Sequence, residues 1–217
     1  MNSGTSGILL IKNIEEKSLE CREGNEILVL KLCDLCNCIY PIYKKIFGDG
    51  IIADMLIKDL KNSSSKVQKA VEKIPEESKY VSTMYSHNLK KYQNLQKLKS
   101  DKDNGIVNFL WMKRAIEFIV IFLEKCYVTN STSKLNVCAM DTYDQVLKNY
   151  HGYATGKIVK LALKLSPSRE VLTERLELGS DEQAKDHLQK CLSIIKLLIS
   201  DISKTIEQND CNFTDKV

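Results

Sequence analysis

Asp59 and Lys66 are two charged side chains on a stretch whose other residues predict an amphipathic helix. They lie seven residues apart, which is two helical turns, so both side chains project from one face. Asn62 and Ser63 lie between them near the same face, although asparagine and serine compete for backbone hydrogen bonds within helices. The four side chains together can bind a polar ligand. The alternative is an ordinary solvated face.

Trp111 is the only tryptophan of the chain, and His151 lies in the sequence YHGY. An indole can form an aromatic platform at the mouth of a site, and an imidazole can donate a hydrogen bond. Gly152 and Gly156 permit close packing or close approach of a ligand. The alternative is that both rings are ordinary core side chains. Stacking and hydrogen bonding by these side chains require neither a nucleophile nor a shifted pKa. The residues therefore indicate binding rather than catalysis.

A long apolar stretch at 105–127 carries Trp111 and predicts a central, buried helix. One face repeats at steps of three and four residues: Val107, Trp111, Ala115, Phe118 and Phe122. Charged residues interrupt the stretch, so we do not expect it to span a membrane. Further helices are predicted at 24–46, 51–73, 76–99, 141–165 and 181–208. No strand pattern is found, and the sequence therefore predicts an all-α protein.

The composition is ordinary for a globular chain, with 43% hydrophobic and 28% charged residues among 217. The formal net charge of +4 does not indicate a nucleic-acid-binding protein, but it permits contact with an anionic membrane surface. The opening MNSGTSG is small and polar, and the ILLI that follows is too short for a signal peptide. We therefore expect a cytoplasmic protein.

The eight cysteines of a cytoplasmic protein are expected to be reduced. Cys33, Cys36 and Cys38 form a cluster, but a structural zinc site needs a second pair at matching spacing, and the others are scattered. We interpret them as small buried helix residues and expect no metal and no cofactor. The sequence also lacks a nucleophile motif such as G-x-S-x-G, so an enzyme is not expected.

Three segments together resemble the glycolipid transfer protein family. They are LWMKRAIEFIVIFLEK at 110–125, YDQVLKNYHGYATGKIVKLALKLSPSR at 143–169 and IKDLKNSSSKVQKAV at 57–71, which is similar to the family's D-x-x-x-N-x-x-K helix. The resemblance covers about residues 25–217, with 1–22 as an N-terminal segment outside it. It implies a single domain over 1–217, built as an all-α, two-layer helical sandwich that encloses an apolar lipid cavity.

The resemblance implies a non-enzymatic carrier that binds one glycosphingolipid and transfers it between membranes. By position, Trp111 matches the platform on which the sugar stacks, Asp59 accepts from the ceramide amide N–H, and His151 donates to the amide carbonyl. The remaining head-group contacts are assigned to Asn62, Ser63 and Lys66. The chemistry is consistent, because an amide left unpaired in an apolar site costs about 1–3 kcal/mol.

The chain departs from the family pattern at three positions. Counting four residues on from Asp59 gives Ser63 in place of the family asparagine, and Asn62 lies one place earlier, so either can have that role. The family's terminal tyrosine has no counterpart hydroxyl, since the nearest aromatic is Phe213. Tyr153 follows Y-H-G in place of tryptophan, and it is expected at the membrane interface unless it is a surface tyrosine without a role.

The resemblance further implies that the two lipid chains enter a cavity between the helix layers. We expect it to be lined by Phe118, Leu147, Ile158, Val159 and Leu163, for which plain core packing is the alternative. The protein is then a monomer with a glycosphingolipid ligand, a transient peripheral contact with membranes and no nucleic-acid partner.

Two other functions are compatible with the same fold. The first is a ceramide-1-phosphate-type carrier, which would use cationic residues, including a pair of arginines, around the phosphate. Val107 and Trp111 occupy those two places here, and the chain has few arginines, so a neutral sugar is favoured. Arg114 is the residue that keeps the phosphate alternative open. The second is a glycolipid sensor or interaction module without transport.

Overall fold

The computed structural model describes residues 4–48, 50–101, 103–129, 132–179 and 181–216. Over these residues the chain forms ten α-helices: α1 Gly4–Glu20, α2 Val29–Phe47, α3 Ile51–Lys73, α4 Val81–Tyr92, α5 Leu95–Ser100, α6 Gly105–Glu124, α7 Leu135–Val146, α8 Tyr153–Lys164, α9 Arg169–Leu176 and α10 Asp181–Gln208. A π-helical turn, Lys125–Thr129, follows α6, and a 3-10 turn, Lys148–Tyr150, precedes α8. The predicted all-α fold is confirmed, including the helices at 51–73 and 181–208.

The helices pack as a two-layer sandwich over one apolar core, with α6 in its centre. α6 contacts α2, α3, α4, α7 and α10, while α1 packs against α2 and α10. Ile14 of α1 is buried in the same core as Ile39 and Phe122, so the N-terminal segment outside the motifs belongs to this core. Among the helices that the described residues form, none is both long enough and apolar enough to cross a bilayer.

The start of α6 is fixed by a side-chain cap. The Asn104 side-chain oxygen accepts hydrogen bonds from the backbone N–H groups of Ile106 at 2.7 Å and Val107 at 3.4 Å. Gly105 then allows α3 to approach closely, because a Cβ at this position would lie 3.0 Å from the Cβ of Ala70. The polar face of α3 is thereby held against the N-terminal half of α6.

Two predicted helices begin or divide differently in the structure. The helix predicted at 24–46 begins at Val29, because two short antiparallel strands, β1 (Arg22–Glu23) and β2 (Glu26–Ile27), precede it. Their turn uses Gly24 at φ 61°, a conformation that glycine adopts without strain. The helix predicted at 76–99 is divided into α4 and α5 by Gln93, whose backbone is left-handed at φ 53°.

The cysteines serve as small core residues, as the sequence indicated. Seven of the eight thiols are buried, Cys38 is half-buried, and none is in a disulfide. Burial raises the pKa of Cys33 and of Cys36 to about 12, so both thiols are protonated at neutral pH. They therefore pack as neutral side chains on the inner face of α2.

Candidate functional site

A cavity of about 370 Å³ lies between α3, α6 and α8, and α2 closes one side of it. This volume is within the range of small-molecule pockets in proteins. Its polar lining comes from Asp59, Asn62, Ser63, Lys66, Asn108, Trp111, His151 and Thr155. Its apolar lining includes Tyr43, Phe47, Ala115, Phe118, Leu147, Val159 and Leu163. The fold therefore brings most of the predicted head-group and chain residues into one cavity.

The lining changes from polar to apolar along two of the helices. Along α6 the order is Asn108, Trp111, Ala115 and Phe118. Along α8 and the turn before it, side chains at steps of four residues follow the order His151, Thr155, Val159 and Leu163. Asp59 and Asn62 are exposed, whereas Phe118, Val159 and Leu163 are almost completely buried. The cavity thus has a polar mouth and a closed apolar end, which matches a ligand with one polar head and apolar chains.

Trp111 lies half-buried at the polar mouth and contacts two aromatic rings. The imidazole of His151 stacks on it with 5.8 Å between ring centroids and 12° between ring planes. The edge of Tyr150 meets it at 6.5 Å and 84°. These contacts fix the orientation of the indole while leaving part of it at the cavity surface, as a stacking platform requires.

His151 lies at a corner that the sequence did not predict. The single helix expected at 141–165 is wrong, because the chain ends α7 at Val146 and begins α8 at Tyr153. Gly152 and the 3-10 turn before it occupy the break. A histidine on a continuous helix would be confined to one face of that helix, whereas the corner lets this ring reach across to α6.

The His151 ring is held by the phenol of Tyr143, whose oxygen lies 3.3 Å from Nδ1. Gly156 leaves room for this phenol, because a Cβ there would lie 3.1 Å from the phenol oxygen. Burial lowers the pKa of His151, and the nearby Arg114 guanidinium lowers it further, so the imidazole is neutral at neutral pH. If the phenol donates to Nδ1, the proton of the neutral ring is on Nε2, which is then a hydrogen-bond donor.

The polar face of α3 forms one wall of the cavity mouth. Lys66 pairs with Asp103 at 3.2 Å, so its ammonium is held beside the start of α6. Asn62 and Ser63 both line the cavity, and Ser63 is the less exposed of the two. The helix continues without a break through this stretch of asparagine and serines. Asn62 and Ser63 therefore both remain candidates for the role of the family's asparagine.

Comparison with known proteins assigns the family. A profile described as "Glycolipid transfer protein (GLTP)" matches residues 27–178, which is more than half of the chain. The chain belongs to the glycolipid transfer protein family. This confirms the resemblance found in the sequence, and it makes the protein a lipid transfer protein with the GLTP fold. Several of the relatives matched are named as lipid transfer proteins.

The relatives within the GLTP family differ in the lipid that they are named for. The chain is 26% identical over 162 residues to glycolipid transfer protein 1 of Arabidopsis thaliana, covering 75% of this chain and 76% of the relative. It is 25% identical over 150 residues to the human ceramide-1-phosphate transfer protein, covering 68% and 70% respectively. The fold of that human protein in complex with 12:0 ceramide-1-phosphate superposes with a TM-score of 0.85 at 19% identity, covering 94% of this chain and 98% of the other. Family membership therefore does not identify the head group.

Arg114, three residues after Trp111, is buried and forms hydrogen bonds within the protein. Its Nη2 atom donates to the side-chain oxygen of Asn212 at 3.0 Å and to the carbonyl of Phe213 at 2.5 Å. Its guanidinium also lies 3.4 Å from the ring centroid of Tyr150. Arg114 thus joins the C-terminal tail to the cavity mouth. Phe213 itself is buried, with the amino group of Lys99 over its ring at 4.8 Å.

The prediction that Ile158 lines the cavity is wrong. Ile158 is 42% exposed, and it is not among the described residues that line the cavity. Successive residues of α8 face in different directions, so only Val159 of this adjacent pair points inward, where it is buried. Tyr153, at the start of α8, is 81% exposed and contacts Lys157, whose amino group lies 4.3 Å from its ring centroid.

Two polar cavity residues were not found from the sequence. Asn108 lies three residues before Trp111, and Thr155 lies four residues after His151. Both are at helical spacing from a predicted site residue, so spacing on the correct helix would have found them. Thr155 is not predicted because the continuous helical pattern at 141–165 hides the break before α8. Asn108 is not predicted because its neighbours in the chain are mostly apolar and indicate only a core helix.

Proposed function

We propose that this protein is a non-enzymatic carrier that binds one glycosphingolipid and transfers it between membranes. The observation that carries the proposal is the position of Trp111, at the polar mouth of an otherwise apolar cavity, beside His151 and in the same lining as Asp59. The indole would stack on the sugar, and the closed apolar end would hold at least part of the chains. Lipid chains with about 30 methylenes would cost roughly 24 kcal/mol in water, so a carrier must shield them.

The charges at the cavity mouth favour a neutral sugar over a phosphate. Among the described lining residues, Asp59 carries a negative charge, Lys66 is paired with Asp103, and His151 is neutral. The guanidinium of Arg114 is bound to the C-terminal tail. Phosphate recognition relies on charge-assisted bonds from cations, above all bidentate ones from arginine. A phosphate here would meet a carboxylate and cations that already have partners.

The ceramide amide would be bound by Asp59 and His151. Asp59 accepts from the amide N–H, and the neutral imidazole of His151 donates from the ring nitrogen that does not contact Tyr143. A ligand amide thereby exchanges its hydrogen bonds with water for two within the site, which avoids a desolvation cost of about 1–3 kcal/mol. Since amide binding is common to all ceramide-based lipids, selection among them must come from the head group.

A transfer assay tests the proposal and its alternatives. We expect the purified protein to speed the movement of glucosylceramide between vesicles more than that of ceramide-1-phosphate. Lipid extracted from the protein after expression in cells that make glycosphingolipids should be identified as glycosylceramide by mass spectrometry. Preferential transfer of ceramide-1-phosphate would establish the phosphate alternative. Binding of glucosylceramide without faster transfer would establish the sensor alternative.

An exposed apolar surface on α8 is our proposed contact with the membrane. We call it the α8 surface: Tyr153, Ile158, Leu161 and Leu165, which are 81%, 42%, 55% and 71% exposed. The last three recur at steps of three and four residues, so they share one outer face of the helix. Lysines interleave with them, which suits a shallow contact with an anionic bilayer surface.

Charged substitution of the α8 surface should weaken membrane binding without altering the cavity. We expect Leu161→Glu to lower the partitioning of the protein onto vesicles of phosphatidylcholine and phosphatidylserine by about 10-fold, because it removes apolar burial of roughly 1.5 kcal/mol and adds repulsion. Vesicle sedimentation measures this. Leu197→Glu is the matched control, since Leu197 is 67% exposed on α10. Equal effects of the two substitutions would contradict the proposed contact.

A further inference from the structure

Asn108 is a buried amide at the cavity that the proposed function has not yet used. It is 8% exposed, and it lines the cavity at the start of α6. Trp111, Ala115 and Phe118 follow it along the same lining at steps of three, four and three residues. At a rise of about 1.5 Å per residue, Asn108 lies about 15 Å along the helix from Phe118. Of these four residues it is therefore the farthest from the apolar end.

The pairing of α3 with α6 places Asn108 near the polar residues that follow Asp59. Asp103 just before α6 pairs with Lys66, and Gly105 packs against Ala70 further along α3. The beginning of α6 therefore lies beside the later part of α3. Asn108 is then level with the Lys66 end of the mouth, on the side of Trp111 away from the chain compartment.

A second asparagine shows what a purely structural amide does in this fold. Asn88 is also 8% exposed, and its Nδ2 atom donates to the carbonyl of Met84 at 2.8 Å. Asn108 donates in the same way to the carbonyl of Asn104 at 2.8 Å. The difference is position, because Asn108 lines the cavity and Asn88 is not among its described lining residues. The two amides thus share one kind of internal bond and differ in their position relative to the cavity.

The internal bond also orients the Asn108 amide for a ligand. The carbonyl of Asn104 can only accept, so the amide nitrogen must face it, and this fixes the rotation of the side chain. A carboxamide has both donor hydrogens and acceptor lone pairs, so it can bind a hydroxyl either as donor or as acceptor. A hydroxyl can donate or accept and thus matches either face of the amide, whereas an ionised phosphate can only accept.

We propose that Asn108 is a specificity-determining residue that hydrogen-bonds to the sugar hydroxyls of the glycosphingolipid. This inference rests on the proposed function and extends it, because it assigns a head-group contact beyond the indole. The sugar would lie on Trp111, with the amide of Asn108 at its edge and the polar side chains of α3 opposite. Asn108 then contributes to binding of a glycosylceramide and contributes nothing to binding of ceramide alone.

Substitution of the two asparagines tests the inference. We expect Asn108→Leu to weaken binding of glucosylceramide about 10-fold and to leave the affinity for ceramide unchanged. Asn88→Leu, which removes the same kind of internal bond away from the cavity, should change neither affinity. Affinities are measured by quenching of Trp111 fluorescence, and thermal unfolding shows that both variants are folded. Asn108→Ala serves as a second variant if leucine at this position prevents folding.

The outcomes separate this inference from the proposed function. If the unmodified protein binds glucosylceramide no better than ceramide, the sugar-binding function fails and the role of Asn108 fails with it. If the unmodified protein prefers glucosylceramide and Asn108→Leu keeps the same preference, only the inference about Asn108 is overturned. A loss of affinity for both lipids in equal proportion would also overturn it, because it would indicate a structural role.

Discussion

Replacing Trp111 with alanine is expected to lower glucosylceramide transfer about 30-fold or more while the protein stays folded. The indole is half-buried at the cavity mouth, where it contacts the rings of Tyr150 and His151. Loss of the stacking surface removes roughly 2 kcal/mol of contact with the sugar, which is about 30-fold in affinity. Vesicle-to-vesicle transfer of a fluorescent glucosylceramide gives the rate, and chemical unfolding gives the stability.

A phenylalanine at position 111 separates the effect of lost stacking from the effect of lost side-chain volume. Trp111→Phe keeps a flat apolar face at the same point of α6, so we expect it to retain much of the transfer that alanine loses. Ceramide binding should fall less than glucosylceramide binding in Trp111→Ala, since ceramide has no sugar to stack. If the alanine variant transfers glucosylceramide near the original rate, the indole is not the platform.

Replacing Asp59 with valine is expected to weaken binding of every ceramide-based lipid, by about 10–100-fold. The carboxylate would accept a charge-assisted hydrogen bond from the amide N–H, and such bonds contribute about 1.5–3 kcal/mol. Because Asp59 is exposed, its removal should change the free energy of unfolding by no more than about 0.5 kcal/mol. Equilibrium binding of ceramide and of glucosylceramide measures the effect, which should be similar for both lipids.

Two comparisons make the Asp59 experiment specific. Asp54→Val removes the same charge from an exposed position on α3 that is not among the described cavity residues, so it should leave binding unchanged. His151→Leu should weaken binding of the same lipids, and its effect should not add to that of Asp59→Val, because both side chains would bind one amide. Fully additive effects would show that the two residues act independently and would contradict a shared clamp.

The sequence was sufficient for the parts of this protein that depend on local pattern. The spacing of Asp59, Ser63 and Lys66 determined a polar face on one helix, and the apolar stretch around Trp111 determined a central helix. Both depend on a period of about 3.6 residues, which the sequence displays directly. Motifs in three separate segments then identified the family that the profile match established.

Local pattern failed where the chain changes direction. The segment predicted as one helix at 141–165 carries a nearly continuous helical pattern, yet the structure divides it at 147–152. The same continuous helical pattern predicts that Ile158 lines the cavity, although the structure leaves it 42% exposed. Periodicity indicates which residues of a helix share a face, but it does not indicate which neighbour that face will meet.

What the sequence determined by itself is the all-α class, the family and the residue types available for binding a lipid. What only the tertiary structure decided is which of those residues meet. Asn108 enters the cavity because Gly105 lets α3 pack closely against the start of α6. His151 reaches Trp111 because α7 and α8 meet at a corner. Contacts of this kind join residues far apart in the chain, and no local spacing records them.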